Sequence, residues 1–165
     1  MTDATRGPVT VPVKLPHPAL QTADWADCYR LHVPGSLQTA ESVARAMFAK
    51  SPGWIEALMA VRNALVGLFG LKPAGYRPTR DAEMIGMFPI VGRSAAQIVL
   101  GFDDRHLDFR IVVDVAEDKG GGQAVSLTTL VRRNIQLGRV YLAMITPFHR
   151  LIVTRTLTRF ARSVS

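Results

Sequence analysis

The sequence contains a single cysteine, Cys28, so no internal disulfide framework can exist and a reducing, cytoplasmic location is expected. No uninterrupted apolar run approaches the roughly 18 residues that a spanning helix needs. The opening "MTDATRGPVTVPVKLPHPAL" lacks the apolar core of a secretory signal, and a soluble protein is expected. There is also no acidic residue after Asp118. Residues 119–165 hold eight Lys/Arg, whereas residues 1–118 carry a net charge of −1, so the net +7 belongs wholly to the C-terminal segment. Such a block can meet phosphates or anionic head groups, but the expected reading is a solvated helix face whose arginines complement the helix dipole. No helix-turn-helix cue, zinc spacing or aromatic–basic strand signature is found, so nucleic acid is not an expected partner.

What is present is a folding chain. Hydrophobic residues make up 48% and charged residues 20% of 165 positions, which suits one domain with a sizeable core. Residues 1–22 carry four prolines (Pro8, Pro12, Pro16, Pro18) and read as an extended arm ahead of a single domain over 23–165. In "DWADCYRLHVPG" the alternation puts Trp25, Asp27, Tyr29, Leu31 and Val33 on one face of a strand. Thr39 then caps a helix with Ala40, Val43, Ala44, Met47 and Phe48 on one face. Ser51-Pro52 opens a second helix, whose stripe runs from Trp54 to Phe69.

From residue 84 the period changes from 3.6 to 2. "MIGMFPIVG" and "AAQIVLGFDD" read as strands about a turn at Gly92-Arg93. In "HLDFRIVVDVAED", Leu107, Phe109, Ile111, Val113 and Val115 face a core, and His106, Asp108, Arg110 and Asp114 face water. After "KGGG", Val125, Leu127, Thr129 and Val131 share a face, and a long helix begins near residue 135. The expected class is α+β: a curved antiparallel sheet wrapped around a long C-terminal helix, with two helices inserted after the first strand. This is the helix-grip arrangement, which commonly leaves a cavity between sheet and helix.

On that helix, Leu137, Val140, Tyr141, Met144, Ile145, Phe148, Leu151 and Ile152 form one stripe, expected to cover the sheet. Val153, Leu157, Phe160 and Val164 lie on nearly the opposite side, and Arg155, Arg159 and Arg162 take over the first face. The last turns are therefore expected to outrun the sheet and pack on the arm, the first helices or a second subunit, as in a homodimer through this helix. Pro147 is expected to kink the axis or to start a new helix with Thr146 as cap. A membrane surface is not the expected partner of the tail, although basic amphipathic helices can bind one.

The segment from Ile98 to Arg110 ("IVLGFDDRHLDFR"), "YLAMITPFHRLIV", "ADWADCYRLHVPG" and "SPGWIEALMAVRNALVGLFGLK" together resemble the bacterial domain of unknown function 2867, over roughly residues 20–162. Such domains occur alone or joined to a nucleotide-sugar-epimerase-like domain. The absence of a Gly-rich dinucleotide fingerprint likens this chain to the stand-alone form. The family is distantly similar to the helix-grip superfamily of lipid-transfer domains, pollen-allergen-like proteins and polyketide cyclases. The resemblance supports the fold and implies no activity.

The candidate ligand pocket comprises Trp25, Tyr29, Phe102, Phe109, Ile111, Val113, Leu127, Thr129, Tyr141, Met144 and Phe148, converging between sheet and helix to hold a small apolar or aromatic molecule. These residues could also simply fill a core. A cyclase or dehydratase is the alternative, with Tyr29 or Tyr141 positioning a carbonyl. The two readings separate on whether a buried acid or base faces the pocket, and Asp27 is nearly alone on the inner strand faces. His149, at the edge of the helical stripe, reads as structural, and Asp103-Asp104 as turn formers. No residue is assigned a catalytic role, and no metal or cofactor is expected.

Overall fold

The computed structural model describes residues 7–35, 37–49, 81–103 and 107–164, with Ala60, Ala64 and Gly67. Among these, seven strands form one antiparallel sheet: β1 (Val9–Thr10), β2 (Trp25–Val33), β3 (Met84–Ile85), β4 (Phe88–Arg93), β5 (Gln97–Asp103), β6 (Leu107–Glu117) and β7 (Gln123–Arg133). Their order is β1-β2-β7-β6-β5-β4-β3. Two helices are described, α1 (Ala40–Phe48) and α2 (Gln136–Val164). The chain is thus α+β. Of the second inserted helix, expected from Ser51 onward, only Ala60, Ala64 and Gly67 are described, each in helical conformation, and the rest lies outside the described residues.

β6 and β7 make the backbone of the sheet, paired without a break from Leu107↔Arg133 to Glu117↔Gln123. Gly121 and Gly122 turn the chain between them at φ +85° and +84°. A Cβ on Gly122 would stand 2.5 Å from the Val33 carbonyl oxygen, so the turn can close only around glycine. β2 lies along the free edge of β7, from Trp25↔Val131 to Val33↔Gln123, which brings the first long strand beside the last. β4 runs through Arg93 and carries an irregularity between Ile90 and Gly92. The turn into β5 therefore falls at Ser94, whose hydroxyl accepts from the Gln97 amide at 3.0 Å, and not at Gly92-Arg93 as expected.

The inner face of the sheet collects Tyr29, Leu31, Val33, Ile98, Leu100, Ile111, Val113, Val115, Val125 and Leu127 into one core with both helices. α1 forms as the sequence predicts. Thr39 Oγ1 accepts from the Ser42 amide at 3.2 Å, and Ala40, Val43, Ala44, Met47 and Phe48 are all buried.

The outer face differs from expectation. Asp108, Arg110 and Asp114 do project there, while His106 lies outside the described residues. That face is not simply wet, because Val112 on it is 0% exposed. Val99, Val112 and Leu130 form a second small core, closed by Val13, Ala19, Leu20, Ala23 and Ala26. The segment before β2 is held there by backbone bonds, Val11 N–H to Cys28 O at 2.8 Å and Asp24 N–H to Val131 O at 3.0 Å. Apolar outer residues on the central strands need cover, and the proline-rich segment supplies it.

α2 overturns the expected orientation of the last helix. It runs unbroken through Pro147, which neither ends it nor starts a new one. The missing amide is at position 147, and nearby Thr146 Oγ1 donates to the Leu142 carbonyl at 2.6 Å. The buried face reads Leu142, Val153, Leu157, Phe160 and Ala161, with Ile145, His149, Ile152 and Val164 half-buried on the same side. The second stripe is the core stripe, because Val153, Leu157, Phe160 and Ala161 join the inner-face core with α1 and the sheet. Val140 (56% exposed), Met144 (47%), Phe148 (62%) and Leu151 (47%) face outward. α2 continues through Pro147 as one helix, and the side it gives to the core is the second stripe. Of the first-half stripe, Val140, Met144, Phe148 and Leu151 are left out, whereas Ile145 and Ile152 are half-buried on the core side.

Candidate functional site

The alternation of β2 turns Trp25, Asp27 and Tyr29 inward together, and register places Thr129 of β7 directly across from Asp27. α2 passes over this end of the sheet with His149 on its inner side. His149 Nε2 meets Asp27 Oδ1 at 3.1 Å, with 20% and 14% of the two side chains exposed. The Trp25 ring stands edge-on to the imidazole at 5.8 Å between centroids and 75° between planes. The other carboxylate oxygen, Asp27 Oδ2, is buried and has no hydrogen-bond partner among the described residues. Leaving such an atom unpaired costs about 1–3 kcal/mol, a penalty that a bound donor would remove.

Tyr29 lies one inward position further along, buried. Burial first, and then the negative charge of Asp27, push its hydroxyl above the ordinary tyrosine range, against an opposing pull from Arg150. Tyr29 therefore remains a neutral donor at neutral pH. In a neutral imidazole whose Nε2 donates to Asp27, Nδ1 is left to accept, and a hydrogen-bonded histidine–carboxylate pair of this kind is able to hold or move one proton.

Two inward rows cross the sheet here. One runs Trp25, Val131, Phe109, Phe102, and its three aromatic rings are only half-buried. Phe102 and Phe109 lie 5.5 Å apart. The next row runs Asp27, Thr129, Ile111, Leu100. Beyond it, Tyr29, Leu127 and Val113 are sealed in the core with α1 and α2. The inner face is thus closed at one end and bordered at the other by partly exposed aromatic rings beside the Asp27–His149 pair.

Of the expected pocket residues, Trp25, Tyr29, Phe102, Phe109, Ile111, Val113, Leu127 and Thr129 share this inner face. Met144 and Phe148 do not join them; they sit on the outward side of α2, because the helix is turned by its second stripe. The side chain of Tyr141 lies outside the described residues. The Asp27–His149 partnership escaped sequence reasoning because its members stand 122 positions apart. The available signal was Asp27 itself, an acid between Trp25 and Tyr29 on an apolar strand face.

A separate open cleft of about 670 Å³ lies by β4 and β5, lined among others by Asp81, Glu83, Arg93, Asp103 and Arg110. Its charges largely answer one another: Arg93 pairs with Glu83, and Arg110 Nη1 with Asp103 Oδ1 at 2.7 Å. Among the described residues, no three His, Cys, Asp or Glu side chains cluster as metal ligands. No helix there is long and apolar enough to cross a membrane.

No curated protein and no solved structure matches the chain. A family model described as Protein of unknown function (DUF2867) matches residues 19–156, from the outer-face segment to the third-last turn of α2, and the chain belongs to that family.

Proposed function

We propose that this is a helix-grip protein that takes a small, largely apolar or aromatic molecule at the Trp25–Phe109–Phe102 end of the inner face, with a polar group of that molecule reaching Asp27 and His149. The carrying observation is the unpartnered oxygen of Asp27, buried beside half-exposed aromatic rings. An apolar floor with a few convergent polar groups is the usual make-up of a small-molecule site. The helix-grip assignment is supported by the strand order, with the first long strand beside the last, and by α2 crossing the inner face. The buried thiol of Cys28 suits a reducing, cytoplasmic setting.

A second reading, an acid–base enzyme of the cyclase or dehydratase kind, is favoured by the pairing of His149 with a carboxylate. The pair would then take a proton from the carbon next to a carbonyl of the bound molecule and return it elsewhere on that molecule, with the Tyr29 hydroxyl nearby as a donor to the carbonyl oxygen.

Native mass spectrometry of protein purified from its own host tests the first reading. A retained mass that disappears in Trp25→Ala and Asp27→Asn, with both variants folded, supports it. A wild-type protein that carries nothing and binds no member of an aromatic and aliphatic ligand panel counts against it. Tyr29→Phe should change ligand affinity more than it changes the melting temperature of the empty protein. Turnover of a bound compound that stops in His149→Gln would favour the enzyme.

A further inference from the structure

We infer that the outward face of α2 is a docking surface for an anionic lipid bilayer. At about 100° per residue, Val140, Met144, Phe148 and Leu151 fall within an arc of about 80°. All four are exposed, and no comparable run of large exposed apolar side chains occurs elsewhere among the described residues. Single exposed apolar residues are ordinary, but four adjoining ones on one helix face mark an interaction surface.

The chemistry of the occupant follows from what continues that arc. Arg155 and Arg162 lie in the same arc about one and three turns beyond Leu151, and Arg159 lies at its edge. All three arginines are exposed, and none forms an ion pair among the described residues. The helix contains no acid at all. A second copy of this face can set its apolar side chains against those of the first, but it brings no carboxylate to the arginines beyond them. A bilayer supplies both complements, head-group phosphates for the guanidinium groups and an acyl boundary for the apolar side chains. It also accepts a convex helix without a matching groove, which a protein partner would have to provide. The long arginine stems let the charge reach the phosphates while their methylenes lie along the apolar layer. The opposite side of α2 is committed to the core through Val153, Leu157 and Phe160, so docking needs no unfolding.

Flotation of the full chain with vesicles of phosphatidylcholine, or of phosphatidylcholine mixed with phosphatidylglycerol, tests the inference. Binding is expected to the mixed vesicles alone, and it should weaken as salt is raised. Met144→Ser/Phe148→Ser should abolish flotation at unchanged melting temperature. Arg155→Gln and Arg159→Gln should each lower partitioning about fivefold. Four results would overturn the inference: no binding to either vesicle, binding indifferent to these substitutions, a fall in melting temperature in the serine variant (the stripe would then be covered within the chain), or loss of a dimer in that variant without vesicle binding by the wild type. Specific capture of an acidic protein segment in place of vesicles would equally assign the face to a protein partner.

Discussion

Asp27 of β2 and His149 of α2 are 122 residues apart in the chain, and their side chains meet at 3.1 Å. The contact ties the strand at the sheet's second position to the helix that crosses it, and leaves the other Asp27 oxygen without a partner. Removing His149 with Ala should strand a mostly buried carboxylate and cost about 1–3 kcal/mol in urea denaturation. Asp27→Val/His149→Leu should recover most of that loss, since an apolar pair of similar size needs no compensation. The coupling between the two positions in a double-mutant cycle should lie at about 0.5–3 kcal/mol. Additive effects would mean that the pair is not formed in solution.

The orientation of α2 gives opposite expectations for two of its hydrophobic residues. Leu157, 0% exposed, should cost about 2–5 kcal/mol on replacement by Ala. Phe148→Ala should stay within about 0.5 kcal/mol, as for an ordinary surface site. Truncation after Ile152 removes Val153, Leu157, Phe160 and Ala161 from the core and should leave no cooperative unfolding transition. Equal costs at Leu157 and Phe148 would show that the helix is turned the other way.

Both sheet faces carry core residues, so neighbouring positions of β6 should be equally intolerant of charge. Ile111→Asp and Val112→Asp each bury an unpaired carboxylate and should both prevent folding. Deletion of residues 1–22 should uncover Val99, Val112 and Leu130 and raise binding of an apolar fluorescent dye. A soluble Val112→Asp variant of wild-type stability would refute the outer-face cover.

Stability should decline on the alkaline side. Burial pushes the Cys28 thiol above its ordinary range, although a Thr128 hydrogen bond and the Arg30 charge pull the other way. The Tyr29 hydroxyl is raised mainly by burial as well. Both groups favour the protonated form in the fold. Their contribution is fully present below the unfolded values of about 8.5 and about 10 and falls as pH rises through the higher folded values. The urea midpoint should hold from neutrality to about pH 8.5 and then drop, and Cys28→Ala should defer the first part of the drop. A midpoint that rose above pH 9 would contradict the burial of both groups.

Period and punctuation in the sequence determined much of this protein. The alternation of β2, β5, β6 and β7 set which residues share a face, because a strand's side chains can point only two ways. Thr39 located the start of α1, because its hydroxyl takes up an orphan amide. The glycines after Lys119 located the tight turn, where only a residue without Cβ fits against Val33. What sequence could not settle were choices between surfaces of similar apolarity. α2 carries two hydrophobic stripes, and only the shape of the groove between sheet and α1 decided that Val153, Leu157 and Phe160 go in while Met144 and Phe148 stay out. The outer face of β6 looked polar by alternation, and its cover became necessary only once Val99, Val112 and Leu130 were brought together by register. The Asp27–His149 pair belongs to the same class, since a contact between a strand and a helix more than a hundred residues apart exists only after the sheet has closed beside β7.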